Sequence, residues 1–113
     1  MPNSIHYSLQ ALQDLDEIFD YISIEKQNPI AAQNTIQGIR KSISDLKTLD
    51  NLGVKLFLPS GLETQYRFVQ YKNFLSFYRV SGTDFFIDRI LYGKRDYIRI
   101  LFRTNDEQEK TWQ

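Results

Sequence analysis

Near the C-terminus, Lys94, Arg95, Asp96 and Arg99 crowd into six positions of the stretch ILYGKRDYIRILF, residues 90–102. Apolar residues flank them, Ile90 to Tyr92 before, and Ile98, Ile100, Leu101 and Phe102 after. Arginine makes planar, bidentate contacts with carboxylates and phosphates, and lysine supplies a point charge. Gly93 permits a sharp turn at the strand's end, which would project Lys94 and Arg95 near a sheet edge, with Asp96 placed to orient one of them. A core strand has no need of such a cluster. It therefore marks a candidate site for an anion or a docking protein, against the competing reading that the cations merely solvate the outer face of a sheet.

Upstream, Tyr66, Phe68, Tyr71, Phe74, Phe77, Tyr78, Phe85, Phe86 and Tyr92 interleave with Arg67, Lys72, Arg79 and Arg89. Aromatics beside cations can stack bases and hold phosphates, although a sheet core is also simply aromatic. His6 is the only histidine and there is no cysteine, so a metal site is not expected. His6 could assist proton transfer or serve a strand edge. The carboxylates of QDLDEIFD read as the solvated face of a helix. No Ser-His-Asp or Cys-His pairing can be argued, and neither phosphate-binding glycine motif is present. No cofactor is implied.

The elements that must carry these residues fall into two halves. Ser8 can cap a helix whose stripe is Leu9, Leu12, Leu15, Ile18, Phe19 and Ile22. It should stop before Asn28-Pro29, which start a second helix striped by Ile30, Ala32, Ile36, Ile39, Ile43, Leu46 and Leu49. Gly38 costs that helix about 1 kcal/mol relative to alanine, and close approach to the first helix would be its benefit. The segments TQYRFVQY, NFLSFYRV and DFFIDRILY are rich in aromatic and branched residues, with turn signals at Lys72-Asn73 and Ser81-Gly82-Thr83. Neither face of the middle strand is cleanly polar, so cover on both sides is expected. Asn3 to Tyr7 could add a fourth strand. The fold class is α+β: an N-terminal strand and an antiparallel helical hairpin packed on an antiparallel sheet of three to four strands.

At 113 residues, 42% hydrophobic and 25% charged, the chain supports one modest core. The expected division is a single domain over 1–103 and a polar, flexible tail over 104–113. No signal peptide or membrane span is visible, and a cytoplasmic protein with no membrane partner is expected. The formal net charge is zero, but it hides a gradient. Residues 1–63 hold five Lys/Arg against eight Asp/Glu, a balance of −3. Residues 64–103 hold eight against three, a balance of +5, so the charged cluster lies in a basic third.

In this order and spacing, DLDEIFDYI, NPIAAQNTIQGI, FYRV and ILYGKRDYIRIL resemble the RelE/ParE family of type II toxin–antitoxin toxins, over about residues 3 to 102. The resemblance implies helices on an antiparallel sheet, and a cognate antitoxin partner in a hetero-oligomer. It also implies one of two targets: DNA gyrase for ParE-like members, or mRNA on the ribosome for RelE-like members, which cut it without a metal. Arg95 matches a basic catalytic position of the RelE branch. The tyrosine that branch carries falls near Leu101, its arginine before FYRV falls near Leu75, and its basic pair is reduced to Arg67. These departures favour the ParE-like branch and a toxin that inhibits growth by binding gyrase. The target-binding candidates are then Lys94, Arg95, Arg99, Arg67 and Lys72, and the antitoxin-binding candidates are Ile98, Ile100, Leu101 and Phe102. If the chain is instead an mRNA interferase, its catalytic candidates are Arg67, Arg95, Tyr92 and Tyr97. A non-toxic, antitoxin-binding relative is the third possibility.

Overall fold

The computed structural model describes residues 4–49 and 53–102. Along the chain come β1 (Ile5–Tyr7), α1 (Leu9–Asp20), α2 (Pro29–Ser44), β2 (Val54–Phe57), β3 (Glu63–Tyr71), β4 (Phe74–Ser81), β5 (Asp84–Tyr92) and a short α3 (Tyr97–Phe102). The helix starts are fixed where the sequence places them. The Ser8 hydroxyl accepts from the Ala11 N–H at 2.9 Å and donates to the Asp88 carbonyl at 2.8 Å, tying α1 to β5. The Asn28 side chain accepts from the Ala31 N–H at 3.0 Å, with Pro29 as the first helical residue. Between the helices, α1 runs on into a π-helical turn, Tyr21–Glu25, and Gln27 adopts a left-handed backbone with φ 53°.

The sheet has five strands in the order β1-β5-β4-β3-β2, not the three to four expected. Strands β2 to β5 form an antiparallel meander. β1 pairs parallel to β5, Ile5 opposite Phe85 and Tyr7 opposite Ile87. No hairpin joins these two strands, so nothing forces an antiparallel arrangement. β2 escaped the sequence reading because it is four residues long and buries only Leu56.

Each face of the sheet has its own core. The hairpin buries Ala11, Leu15, Ile39 and Ile43 against Val69, Tyr78, Ile87 and Ile90. On the other face Leu101 of α3 packs with Tyr66, Leu75, Phe77 and Leu91. Four consecutive residues of β4, Leu75 to Tyr78, are therefore buried, as its two-faced apolar pattern predicts. The apolar run 98–102, which supplies the antitoxin-binding candidates, is a helix on the sheet face away from the hairpin.

Three further expectations are corrected by packing. Leu9 and Ile30 remain exposed, at 70% and 73%, so the buried stripe of the hairpin is narrower than the sequence pattern. Gly38 makes room for the Tyr71 ring of β3, which a Cβ there would overlap, rather than for α1. Asp14, read as part of a solvated face, is only 5% exposed. It receives Arg89 through Nε at 2.9 Å and Nη2 at 3.0 Å, and accepts the Ile90 N–H at 2.9 Å. Arg89 lies at a bulge, where Phe77 pairs with Arg89 and Tyr78 with Ile87, leaving Asp88 as the extra residue. Asp88 in turn receives Arg79, Nε at 2.6 Å and Nη2 at 3.1 Å.

Burial raises the hydroxyl pKa of Tyr7, Tyr66 and Tyr78, and for Tyr66 the neighbouring Asp88 carboxylate raises it further. A group whose pKa is raised by folding keeps its proton in the folded chain after the unfolded chain has lost it. Stability should thus hold below about pH 10 and fall as pH climbs through and beyond that point. Urea midpoints at pH 8 and pH 10.5 check this. An unchanged midpoint would mean that the three hydroxyls titrate alike in both states.

Candidate functional site

The charged cluster forms the turn between β5 and α3, and backbone hydrogen bonds hold it firmly. The Gly93 N–H donates to the Asn73 carbonyl at 2.7 Å, and the Arg95 N–H to the Tyr92 carbonyl at 2.9 Å. A Cβ on Gly93 would lie 3.3 Å from that Asn73 oxygen, so the close pass of two turns accounts for the glycine. Asp96 does not orient Lys94 or Arg95 as expected. Its carboxylate accepts the Arg99 N–H at 3.3 Å and caps α3. None of the ion pairs among the described residues involves Lys94, Arg95 or Arg99. All three are exposed.

Two adjacent cations of this turn serve opposite faces of the sheet. Arg95 lines a cleft of about 570 Å³ on the hairpin face, together with Ile18, Ile22, Phe74, Ile90 and Tyr92. Lys94 lines a smaller hollow of about 320 Å³ on the α3 face, beside Phe68, Leu75 and Tyr97. The tyrosines divide likewise. Tyr92 packs against Phe74 at 5.8 Å beside Arg95, whereas the Tyr97 ring lies 5.2 Å from Phe77 beside Lys94.

The remaining candidates fall into distinct places. Lys72 occupies the β3–β4 turn with a left-handed φ of 52°, next to the Asn73 that anchors Gly93, so it shares the sheet end with the cluster. Arg67 does not. It alternates with Tyr66 and Phe68 and pairs with Tyr78, on the hairpin face. The row Tyr71–Phe74–Tyr92 next to the cluster is four residues further along β3, roughly 13 Å. His6 is more distant still, opposite Phe86 and six residues short of Tyr92, roughly 20 Å along the strand. Its ring stacks on Phe86 at 4.9 Å, and its Nε2 is 3.6 Å from Asp84. Of the antitoxin-binding candidates, Leu101 is 1% exposed and belongs to the core, while Ile98, Ile100 and Phe102 are partly exposed. Residues 103–113, including the expected tail, lie outside the described residues.

Sequence reasoning missed the cleft itself. Its walls come from the π-helical turn, which supplies Tyr21 and Ile22, from β4 and β5, and from Lys26, none of which a local pattern joins. Among the described residues, no three His, Cys, Asp or Glu side chains gather as metal ligands would. No described helix is long and apolar enough to cross a membrane. Arg79 and Arg89, read as possible phosphate holders, are engaged by Asp88 and Asp14. The arrangement is suited to holding anionic or apolar groups at two separate surfaces.

The family described as "ParE toxin of type II toxin-antitoxin system, parDE" matches residues 5–97, and the chain belongs to that family. A solved structure described as the chromosomal ParDE TA system from P. aeruginosa includes a chain 27% identical to this one. The match covers 79% of this chain and 94% of that one, with a TM-score of 0.61. A chain of the RelBE2 toxin–antitoxin complex from Mycobacterium tuberculosis is 16% identical over 81% and 92% of the two chains, with a TM-score of 0.49. YafQ from E. coli is 17% identical over 88% and 98%, with a TM-score of 0.48. No curated protein sequence matches the chain.

Proposed function

We propose that this toxin inhibits growth by binding and poisoning DNA gyrase, and that a cognate antitoxin holds it inactive. The observation that carries the reading is the separation of the groups an mRNA nuclease would need together. Arg95 and Tyr92 share the hairpin-side cleft, Tyr97 sits on the opposite face, and Arg67 stands roughly 13 Å along the sheet. General acid–base catalysis requires its groups within hydrogen-bond reach of one reacting centre. Binding requires no such convergence, and exposed cations without ion-pair partners among the described residues suit it. Lys94, Arg95 and Lys72, at one end of the sheet, form the target-binding surface together with Arg99 of α3, with Arg67 as an outlying contact. The partly exposed edges of Ile98, Ile100 and Phe102, set by the buried Leu101, form the antitoxin-binding surface. The cytoplasm is where such a target is met, with residues 1–103 acting as one domain.

The test is induction without antitoxin, following thymidine and methionine incorporation in one culture. Early loss of thymidine incorporation is expected, and Lys94→Ala combined with Arg95→Ala should abolish it while leaving antitoxin binding intact. Undiminished toxicity in that variant would remove the site assignment. The ribosome-dependent mRNA endonuclease stays as a second reading, because Tyr92 and Arg95 do share a cleft. There Arg95 would stabilise charge on the phosphate and Tyr92 would move a proton. Methionine incorporation failing first, with new mRNA 5′ ends at codon boundaries, would establish it. Normal growth under strong induction would point to a non-toxic relative.

A further inference from the structure

We propose that the cleft between the hairpin tip and the end of β5 is a pocket for an apolar anchor side chain of the target protein, flanked in that protein by a carboxylate that Lys26 and Arg95 receive. The proposal rests on the reading of the target as a protein bound without chemistry. It adds to that reading a pocket, a second cation and the chemistry of the occupant.

At about 570 Å³ the cleft holds a large side chain and its neighbours. Its apolar surface comes from Ile18, Ile22, Phe74 and Ile90, on both the helix and the sheet. Asp14 lines it too, but both of its oxygens are engaged, by Arg89 and by the Ile90 N–H. Glu17 is exposed, and its charge favours the charged form of the same Arg89. Asp14 is thus balanced from within. Lys26 and Arg95 are not, since neither enters an ion pair among the described residues. They come from separate elements, the hairpin link and the β5–α3 turn, and both line the cleft. Tyr21, 55% exposed, carries Lys26 over its ring at 5.7 Å, which favours one position of that ammonium.

The backbone supplies a second, independent observation. α1 ends in a π-helical turn, an uncommon conformation that is frequent at functional sites. This turn contributes Tyr21 and Ile22 to the cleft. It also leaves Ile24 exposed at 67%, at the same end of the hairpin. Exposed apolar side chains beside a pocket, with cations at hand, are the make-up of a protein-docking site. An arginine and a lysine select an acidic partner. The antitoxin-binding candidates on α3 belong to the opposite face of the sheet, which leaves this cleft open to a different protein.

The experiment has two arms. In the first, the dipeptide acetyl-Trp-Asp-amide is titrated into the full chain by NMR. Saturable shifts confined to Tyr21, Ile22, Tyr92 and Arg95 are expected, with binding at least tenfold weaker in the Lys26→Glu/Arg95→Glu variant. All the substituted side chains are exposed, and unchanged thermal unfolding confirms that the variant folds. No saturable shifts, or shifts indifferent to the charge reversal, would overturn the pocket. The second arm measures binding to purified gyrase and to the cognate antitoxin. The double variant should lose at least tenfold towards gyrase, while Lys47→Glu, an exposed lysine outside the cleft, should change the cleft's peptide affinity less than threefold. Loss of antitoxin binding with gyrase binding kept would assign the cleft to the antitoxin and overturn the proposal. A wild-type chain that binds the peptide but not gyrase would overturn the gyrase reading and leave the pocket standing.

Discussion

Asp14→Ala is expected to destabilise the fold by about 3–5 kcal/mol, the usual cost of removing one partner from a buried ion pair. The Asp14 side chain is 6% exposed and that of Arg89 18%, so solvent replaces little of the lost carboxylate at Arg89. The loss extends beyond the pair, because the Ile90 N–H also gives up its acceptor at 2.9 Å, and an unsatisfied buried donor adds its own cost. Asp14 further joins the middle of α1 to β5, so the substitution loosens the attachment of the hairpin to the sheet. Urea unfolding of the purified chain measures the effect. Asp14→Asn, which keeps an acceptor for Ile90 but removes the charge, should fall between wild type and alanine. A loss under 1 kcal/mol for alanine would show that Arg89 reaches water or another carboxylate.

Phe77→Ala should cost a similar amount, about 3–5 kcal/mol, but through the other face of the sheet. Phe77 is fully buried, touches the Tyr97 ring at 5.2 Å, and shares a cluster with Leu101. α3 has six residues, too few to persist without tertiary packing. The cavity would therefore take away the surface on which α3 rests. Hydrogen exchange in α3 should rise well before that in α1 and α2, and antitoxin binding should weaken if Ile98, Ile100 and Phe102 carry it. Equal protection of all three helices in the variant would mean that α3 is held by something other than Phe77.

What could be read from the chain was local. Ser8 and Asn28-Pro29 fix the starts of the helices by hydrogen bonds to residues three positions on, so their roles are written within a few letters. β3, β4 and β5 announce themselves by composition, and the charged cluster falls at the end of β5 as expected. What could not be read depends on residues far apart. Asp14 looks solvated until Arg89, 75 positions later, arrives beside it. A run such as YIRILF is too short for periodicity to separate helix from strand, and the Asp96 cap falls on the side of the helix. The division of Lys94 and Arg95 between two faces is a property of the folded turn, not of either residue type.

The parallel pairing of β1 with β5 also constrains the order in which the chain can assemble. Among the described residues the N-terminal strand meets its one neighbour in the sheet 80 residues later, as in the bond from the Phe85 N–H to the Ser4 carbonyl. A contact of that span closes late, because the loop must be gathered before the contact rewards it. During synthesis at about 5–20 residues per second, β1 and the inner side of α1 would wait roughly 4 to 16 seconds for β5 to emerge. Through that interval the growing chain has neither its basic turn nor the sheet edge that presents it. The basic turn is thus set only once β5 has been made, later than both helices of the hairpin and strands β1 to β4.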